Sequence, residues 1–589
     1  MEPSPRWWGS FCWEMLRSPM SESNFITHPN RIFPSQTSFW RVLSLTFATL
    51  YGILSLRQAF AAPNLVHDDA RQHIFWMLRF VDRDLFPDDL IADYFQSVAP
   101  RGYTFVYQLG AIAGIDPFTF AKIIPPILGL FCTYYSFGLC VEILPIPAAG
   151  LIGSLVANQA IWMKDDLASG TPRAFIYPIF WAFLYYLVRR SILGVGITVA
   201  AIGLFYPQYV FVALVILTLR LVNFEQGKLT RYKNNRNYHL FGIGLIVAVM
   251  VLLPYAIATS EFGPTIGKAE AMNSPEFFLN GRSLFFHDNF IDIWFTGRRS
   301  GMFPKSLFTP ATQCAGLLLP ILLLFPAQFP AIAKLKSGIW VLLQLLISSV
   351  FMFFVAHAFL FKLHLPSRYT GLSFRIIIAV ATAIALTAIL EKLSGILRRD
   401  RLQWKKWVSG SAIFSIVISL LFYPAFVPYF PLIKYRQGRM TEIYEFFQNQ
   451  PKDIVIASLS GEANQLPTFA QRSVLMAREY AIPYQIGYAD QIQRRTLDLI
   501  RAHYSQNPRE LRDFIEKYDI DFFLIDPYSF TPEFIENNDW MFIFPEGENA
   551  HQLLRQNPDI SLAKEVRRCT VFQSPSWIIL DANCILKYE

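Results

Sequence analysis

The chain is short of charge. Asp, Glu, Lys and Arg make up 16% of its 589 residues, while 53% are hydrophobic and 16% aromatic. Soluble domains carry about 25% charged residues, so this scarcity excludes an ordinary soluble globule and leaves a polytopic membrane protein. Cysteine is sparse too. Cys12, Cys132, Cys140, Cys314, Cys569 and Cys584 form no C-x-x-C pair, which argues against zinc and thioredoxin-like chemistry. Cys569 and Cys584 would pair if the tail lies in an oxidising compartment; two isolated buried thiols are the other reading. Residues 1–38 hold Arg6, Arg17 and Arg31 beside Glu2, Glu14 and Glu22. They lack the apolar core, roughly 7–15 residues long, of a cleaved signal. The net charge of +8 does not point to nucleic acid, because much of the basic excess lies in short loops between apolar runs, where it orients the chain.

What is abundant is apolar runs. One near Trp40–Ala61 is followed by others near 118–142, 146–162, 174–189, 191–206, 207–222, 239–258, 311–330, 337–360, 374–391 and 408–430. With about 20 residues needed per crossing, they predict about eleven transmembrane helices. Arg189-Arg190, the Lys228/Arg231/Lys233/Arg236 loop, Lys334/Lys336 and the Arg398/Arg399/Arg401/Lys405/Lys406 loop fall at alternate connections. The positive-inside rule makes those connections cytoplasmic, and with them the N-terminal segment 1–39. Residues 62–117, 163–173, 259–310, 361–373 and everything after 431 then lie outside. The three short runs within 174–222 surround Tyr206-Pro207-Gln208, and one of them could be re-entrant; three crossings preserve the alternation.

The outer segments are too long to be plain connectors. Ile74–Val81 has apolar residues at helical spacing and reads as a helix along the membrane interface or as one packed against neighbouring spans, and neither reading excludes the other. Residues 259–310 are rich in aromatics, with Phe277-Phe278 and Phe285-Phe286, and carry Gly297-Arg298-Arg299-Ser300-Gly301. The tail 432–589 alternates strand signals, at 453–458 and 522–525, with a helix start at Asn507-Pro508. Asn suits the N-cap and Pro the first helical turn. This succession predicts a soluble α/β domain, read as a lid or an acceptor-binding module. It shows no glycine-rich phosphate loop and no nucleophile motif.

Two acidic pairs stand out: Asp68-Asp69, within His67-Asp68-Asp69-Ala70-Arg71, and Asp165-Asp166. Each follows an apolar run, and both emerge on the same face in this topology. Carboxylates at a membrane surface are costly to dehydrate, so they stay wet or serve a reaction. The segment Asp68-Asp69-Ala70-Arg71-Gln72-His73 resembles the Asp-Glu-Ala-Arg-Tyr segment of the C-type (GT-C) membrane glycosyltransferases. That superfamily includes protein O-mannosyltransferases, aminoarabinose transferases and oligosaccharyltransferases. The likeness extends to the span number, a second acidic site in the next outer loop and an outer C-terminal domain. The chain departs from the pattern in having Asp69 for Glu and Gln72-His73 for the aromatic residue.

The resemblance implies a polyprenyl-phosphate sugar as donor and a lipid, glycan or protein acceptor. It also implies that Asp68 is the base that takes the acceptor's proton, with Asp69 in support. Asp165 and Asp166 complete the candidate catalytic set. Asp68 with Asp166 is the candidate site for a divalent metal, magnesium or manganese by its oxygen ligands. The bland alternative for the first pair is helix capping and a solvated charge. The leaving lipid phosphate needs cations near the membrane surface. Arg173, Arg298, Arg299 and Arg368 are the candidates, with Tyr369 beside them; guanidinium groups pair well with phosphate. Snorkelling to headgroups is the plainer role. His67, His73 and His287 read as interfacial polar residues. A secondary transporter would show internal repeats and mid-span polar sites, neither of which is evident. A non-catalytic scaffold of the same fold is the third reading. The absence of secretory processing and of eukaryotic retention signals points to a bacterial inner membrane.

Overall fold

The structure, a computed structural model, describes residues 37–225, 228–231, 235–257, 261–556 and 558–587. The N-terminal segment up to residue 36, Cys12 and Lys233 lie outside the described residues. Each of the eleven apolar runs holds a helix, and five helices are long and apolar enough to cross a membrane: Thr37–Ala59, Pro117–Ile143, Asn235–Ile257, Ser337–Ala358 and Ser367–Arg399. At 1.5 Å per residue, a 23-residue helix such as Thr37–Ala59 is about 35 Å long, enough for the hydrocarbon core. Asn235–Ile257 presents Leu245, Ile246, Val249, Met250 and Leu253 outward, apolar residues that want lipid rather than water. This is a membrane protein.

Ser367–Arg399 is the most deeply buried of the five. It packs against the helices Pro147–Trp162, Ser337–Ala358 and Gln403–Leu421. Pro117–Ile143 is a second centre, flanked by Thr37–Ala59, Pro147–Trp162 and Pro172–Val188. The run at 311–330 is not one continuous helix: it becomes a 3-10 turn Ala311–Leu318 and a short helix Leu319–Leu323. Its Gly316 lies so close to Ser367–Arg399 that a Cβ would meet Thr382 Oγ1 at 2.8 Å. Close packing on the buried helix wins there over continuous helix. In Ile74–Val81 the first five residues, Ile74, Phe75, Trp76, Met77 and Leu78, are all buried, whereas Val81 is exposed, so the segment packs against its neighbours.

Nine strands are present among the described residues. β1 (Leu65–His67) pairs antiparallel with β4 (Tyr435–Gln437), so that His67 faces Tyr435 and Val66 faces Arg436. β2 (Val222–Glu225) and β3 (Lys228–Arg231) form a hairpin. Past residue 450, β5 (Val455–Ala457), β6 (Ser473–Val474), β7 (Phe522–Ile525), β8 (Thr570–Gln573) and β9 (Ile578–Asp581) form one sheet in the order β6-β5-β7-β9-β8. β5 is parallel to β6 and β7, whereas β9 runs antiparallel to β7 and β8. The helix Pro508–Tyr518 starts as its sequence predicts, with the Asn507 side chain accepting from the Arg509 N–H. Cys569 and Cys584 form a disulfide.

Candidate active site

β1 leads directly into the helix Asp68–Ile74, whose N-cap is His67 rather than an aspartate. His67 Nδ1 accepts from the Asp69 N–H, which leaves Nε2 protonated to donate to Asp165 Oδ1 at 2.9 Å. The helix places Asp68 and Arg71 one turn apart on one face, and Arg71 Nη2 meets Asp68 Oδ1 at 2.9 Å. Arg436 of β4 reaches the same oxygen from across the strand pair at 3.2 Å. Burial would raise the Asp68 pKa, but Arg71 and Arg436 outweigh it and hold the carboxyl below its usual 3.8. Its other oxygen has no hydrogen-bond or ion-pair partner among the described residues.

The second acidic pair comes from the loop after Pro147–Trp162, and it splits. Asp165 has a left-handed backbone, φ +51°, a conformation that Asp tolerates. Its side chain faces His67 and accepts from the Lys434 N–H at 2.7 Å. Asp166 faces the opposite group. It receives the Tyr177 hydroxyl at 2.8 Å, Arg173 at 3.3 Å and Lys164 at 3.4 Å. Arg173 bridges Asp166 to Asp69, which it also pairs. Gly170 fixes this turn: its φ is +62°, and a Cβ there would press on Tyr107 Oη at 2.8 Å and on the Ala121 backbone. Pro172 then opens the helix that carries Arg173.

The pKa shifts follow from these pairings. Burial disfavours charge on Asp69 and Asp166, yet Arg173 at both, with Lys164 at Asp166, holds each well below the usual carboxylate range. Asp166 favours the charged form of Lys164, but burial together with Arg375, Arg368 and Arg173 lowers its pKa to about 8. Burial pushes His73 down to about 4 despite Asp69, with Arg173 and Arg282 adding to the fall, so it is neutral at pH 7.

Arg368 lies in the first turn of Ser367–Arg399. Its guanidinium has no hydrogen-bond or ion-pair partner among the described residues, although it is within electrostatic reach of Arg173, Asp166 and Arg298. Arg298 is exposed, and Arg299 donates to the Arg282 carbonyl at 3.1 Å. Tyr369 departs from the expected substrate role. It is fully buried, its hydroxyl donates to the Leu363 carbonyl at 2.7 Å and its carbonyl accepts from Tyr209.

The metal pairing of Asp68 with Asp166 is likewise not assembled. The two sit in separate ion-pair groups, and among the described residues no three His, Cys, Asp or Glu side chains gather as a metal set. Magnesium and calcium take six or more oxygen ligands, and these carboxylates already hold cations of the protein, so the residues do not fit such an ion.

Sequence reasoning missed several partners. Lys434 and Arg436 come from a strand far along the chain. Gln72 reaches the Glu479 carbonyl, and Arg282 pairs with Glu479 at 2.8 Å, so residues past 460 clasp the Asp68–Ile74 helix. Arg71 also donates to the Asn464 carbonyl at 2.9 Å. Arg71 alone was within reach of sequence reading, through its helical spacing from Asp68.

No family model and no curated protein matches the chain. Among solved structures it is similar to the archaeal oligosaccharyltransferase AglB from Archaeoglobus fulgidus in complex with an inhibitory peptide and a dolichol-phosphate. That match has 11% identity and a TM-score of 0.47, over 90% of this chain and 72% of that one. It is similar to the same organism's oligosaccharyltransferase in complex with Zn and sulfate, at 10% identity and a TM-score of 0.43 over 84% and 69%. It is also similar to ArnT from Cupriavidus metallidurans bound to undecaprenyl phosphate, at 12% identity and a TM-score of 0.42 over 93% and 98%. With TM-scores below 0.5, these likenesses stand beside the site without carrying it.

Proposed function

We propose that this chain is an integral membrane glycosyltransferase that moves a sugar from a polyprenyl-phosphate donor to an extracytoplasmic lipid, glycan or protein acceptor. The observation that carries this reading is the Arg368 guanidinium, without a partner among the described residues, beside the Arg173–Asp166 pair. A partly buried arginine that lacks a carboxylate calls for an anion, and at the end of a membrane helix a lipid phosphate has the right charge and depth. Bidentate hydrogen bonds from guanidinium suit it. The motif's resemblance to the GT-C enzymes supplies the reaction class.

In this mechanism Asp68 is the base. Both arginines hold one of its oxygens, which leaves the other free for the acceptor's O–H. A carboxylate with a lowered pKa is a weak base, but it is fully ionised at neutral pH, and proton transfer becomes favourable as the new glycosidic bond forms. The acceptor oxygen attacks the anomeric carbon as the bond from that carbon to the phosphate oxygen breaks. The polyprenyl phosphate departs with the electron pair, and Arg368 and Arg173 meet its added charge. Asp69 and Asp166 hold Arg173 in place, and His67–Asp165 fixes the entry to the helix. Fixed cations do here what a divalent ion would do, so no step needs magnesium or manganese.

The same reading sets the membrane orientation. Cytoplasmic basic loops and an outer face for Asp68, Asp165 and the domain past 431 fit a bacterial inner membrane, and the Cys569–Cys584 disulfide agrees with an oxidising compartment. The test is binding and turnover together. Purified protein should retain polyprenyl phosphate by native mass spectrometry, and Arg368→Ala should lose most of that retention while folding normally. Equal retention by the variant, or none by the parent, would reject the reading.

A further inference from the structure

A cleft in the domain past residue 450 is not part of the arginine–aspartate centre. It has a volume of about 930 Å³ and is lined by Ser458–Gly461, Met476–Glu479, Asp526 and Tyr528, with Arg282 and Glu533 at its edges. Those three segments directly follow β5, β6 and β7, the three mutually parallel strands of the sheet. In open α/β sheets the crevice outside the carboxyl ends of parallel strands is where ligands bind. The volume is near the top of the range, roughly 300–1,000 Å³, of small-molecule sites.

The charges identify the class of occupant. Arg282 is paired with Glu479, and Arg478 donates to the Asn280 carbonyl at 3.0 Å. Asp526 and Glu533 have no cation partner among the described residues. The lining thus carries three carboxylates, Glu479, Asp526 and Glu533, against the two guanidiniums of Arg282 and Arg478, and this excess of acceptors disfavours phosphate or any other anion. Asp526 is held for use. One carboxylate oxygen accepts the Tyr528 N–H at 2.8 Å, and the Asp526 N–H donates to Ser529 Oγ at 3.0 Å, so the turn holds the half-buried side chain in place. Tyr528 is 71% exposed at the mouth, an aromatic face of the kind that packs on the C–H face of a sugar ring while its hydroxyl bonds to a neighbour.

We propose that this cleft is a binding site for a neutral saccharide, with Asp526 and Glu533 accepting from sugar hydroxyls and Tyr528 packing against a ring. Its occupancy does not depend on the transferase reading. Its position does connect to the other site: Asn464 in its wall gives its carbonyl to Arg71, which holds Asp68. A sugar chain bound here lies one residue layer from the carboxylates of the membrane face.

The test uses full-length protein in a detergent without a sugar headgroup, applied to an array of neutral, anionic and cationic glycans. Wild type should retain a subset of neutral glycans. Tyr528→Ala and Asp526→Asn should each lower retention at least tenfold with an unchanged melting temperature, since Tyr528 is on the surface and Asn keeps the Asp526 turn. Retention of no neutral glycan, retention of anionic glycans alone, capture of basic peptides instead, or variants that bind like wild type would overturn the proposal.

Discussion

Around Arg173, cations are in excess: Arg173, Arg368 and Lys164 face Asp69 and Asp166, and Arg368 is left without a partner among the described residues. In the cleft at the carboxyl edge of the sheet the balance is reversed, with Arg282 and Arg478 engaged and Asp526 and Glu533 unmatched. Both regions are polar, yet the sign of the unmatched charge differs, and that sign selects the ligand. A surplus cation at membrane depth calls for a lipid phosphate. Surplus acceptors in water call for hydroxyl donors. Matched ion pairs such as those of Asp68 and Arg173 orient the groups that act, while the unmatched ones decide which charge of ligand is taken.

The strongest way to break this contrast is at the base. Asp68→Asn keeps the size and much of the hydrogen bonding to Arg71 and Arg436 but removes the proton acceptor. Transfer should fall by about 10²-fold or more, the scale of a lost acid–base group, while polyprenyl-phosphate retention persists. Turnover near wild type would move the role to Asp69, whose pair with Arg173 joins it to the phosphate side. Addition of a chelator should leave wild-type turnover unchanged. A chelator-sensitive rate restored by magnesium or manganese would show that the carboxylates exchange their cations for metal.

The two arginines sharpen the distinction between paired and unpaired. Arg368→Ala removes no side-chain hydrogen bond or ion pair seen among the described residues, so its melting temperature should hold while turnover at low donor falls about tenfold, the value of one lost charged hydrogen bond. Arg368→Lys should recover only part of this, since lysine lacks the planar fork. Arg173→Ala leaves Asp69 and Asp166 without their shared cation, and it should lower stability by about 1–3 kcal/mol as well as activity. Thermal unfolding beside initial rates separates the two. An Arg368→Ala protein that unfolds early, or is fully active, would make it a structural residue.

These partitions show which parts of the site were legible in the sequence. Adjacent carboxylates after an apolar run are rare enough to be noticed, and Asp68 and Asp69 do sit at the centre of the polar network. Asp165 and Asp166 read as one pair but act as two residues, because the left-handed backbone at Asp165 turns its side chain to His67 while Asp166 faces Arg173. Arg436 was invisible: it meets Asp68 only because β1 and β4 pair across 368 residues. Tyr369 shows the reverse error, since closeness to Arg368 in sequence puts it on the next face of the helix, inside the protein. Each apolar run holds a helix, but run length alone did not foresee that 311–330 breaks against the buried Ser367–Arg399. In the tail, alternation was enough to place β5 and β7, whereas the cleft depends on strand order, which no local pattern encodes.

A further check concerns the tail alone. The Cys569–Cys584 bridge closes a loop of 15 residues, for which chain entropy gives about 3 kcal/mol. Cys584→Ser should lower the stability of the C-terminal region by about that amount and leave the arginine–aspartate site intact. Unfolding followed by limited proteolysis, with and without reductant, measures it. No change on reduction would place the bridge outside the stabilising framework.

The smallest effect expected is on pH. Lys164 has its pKa lowered to about 8, since burial and the neighbouring Arg375, Arg368 and Arg173 outweigh the attraction of Asp166. It therefore carries its proton at neutral pH and loses it as pH rises through about 8, and it adds to the positive field on the donor phosphate only below that point. Donor KM should rise a few-fold between pH 7 and 9, with kcat little changed. Asp68, held below 3.8, should contribute no acidic limb over the same range. Lys164→Met should flatten the KM profile at the high-pH value, whereas Lys164→Arg should flatten it at the low-pH value, because arginine keeps its charge throughout. A profile unchanged in both variants would assign the alkaline loss to another group and leave Lys164 as the counter-charge of Asp166 alone.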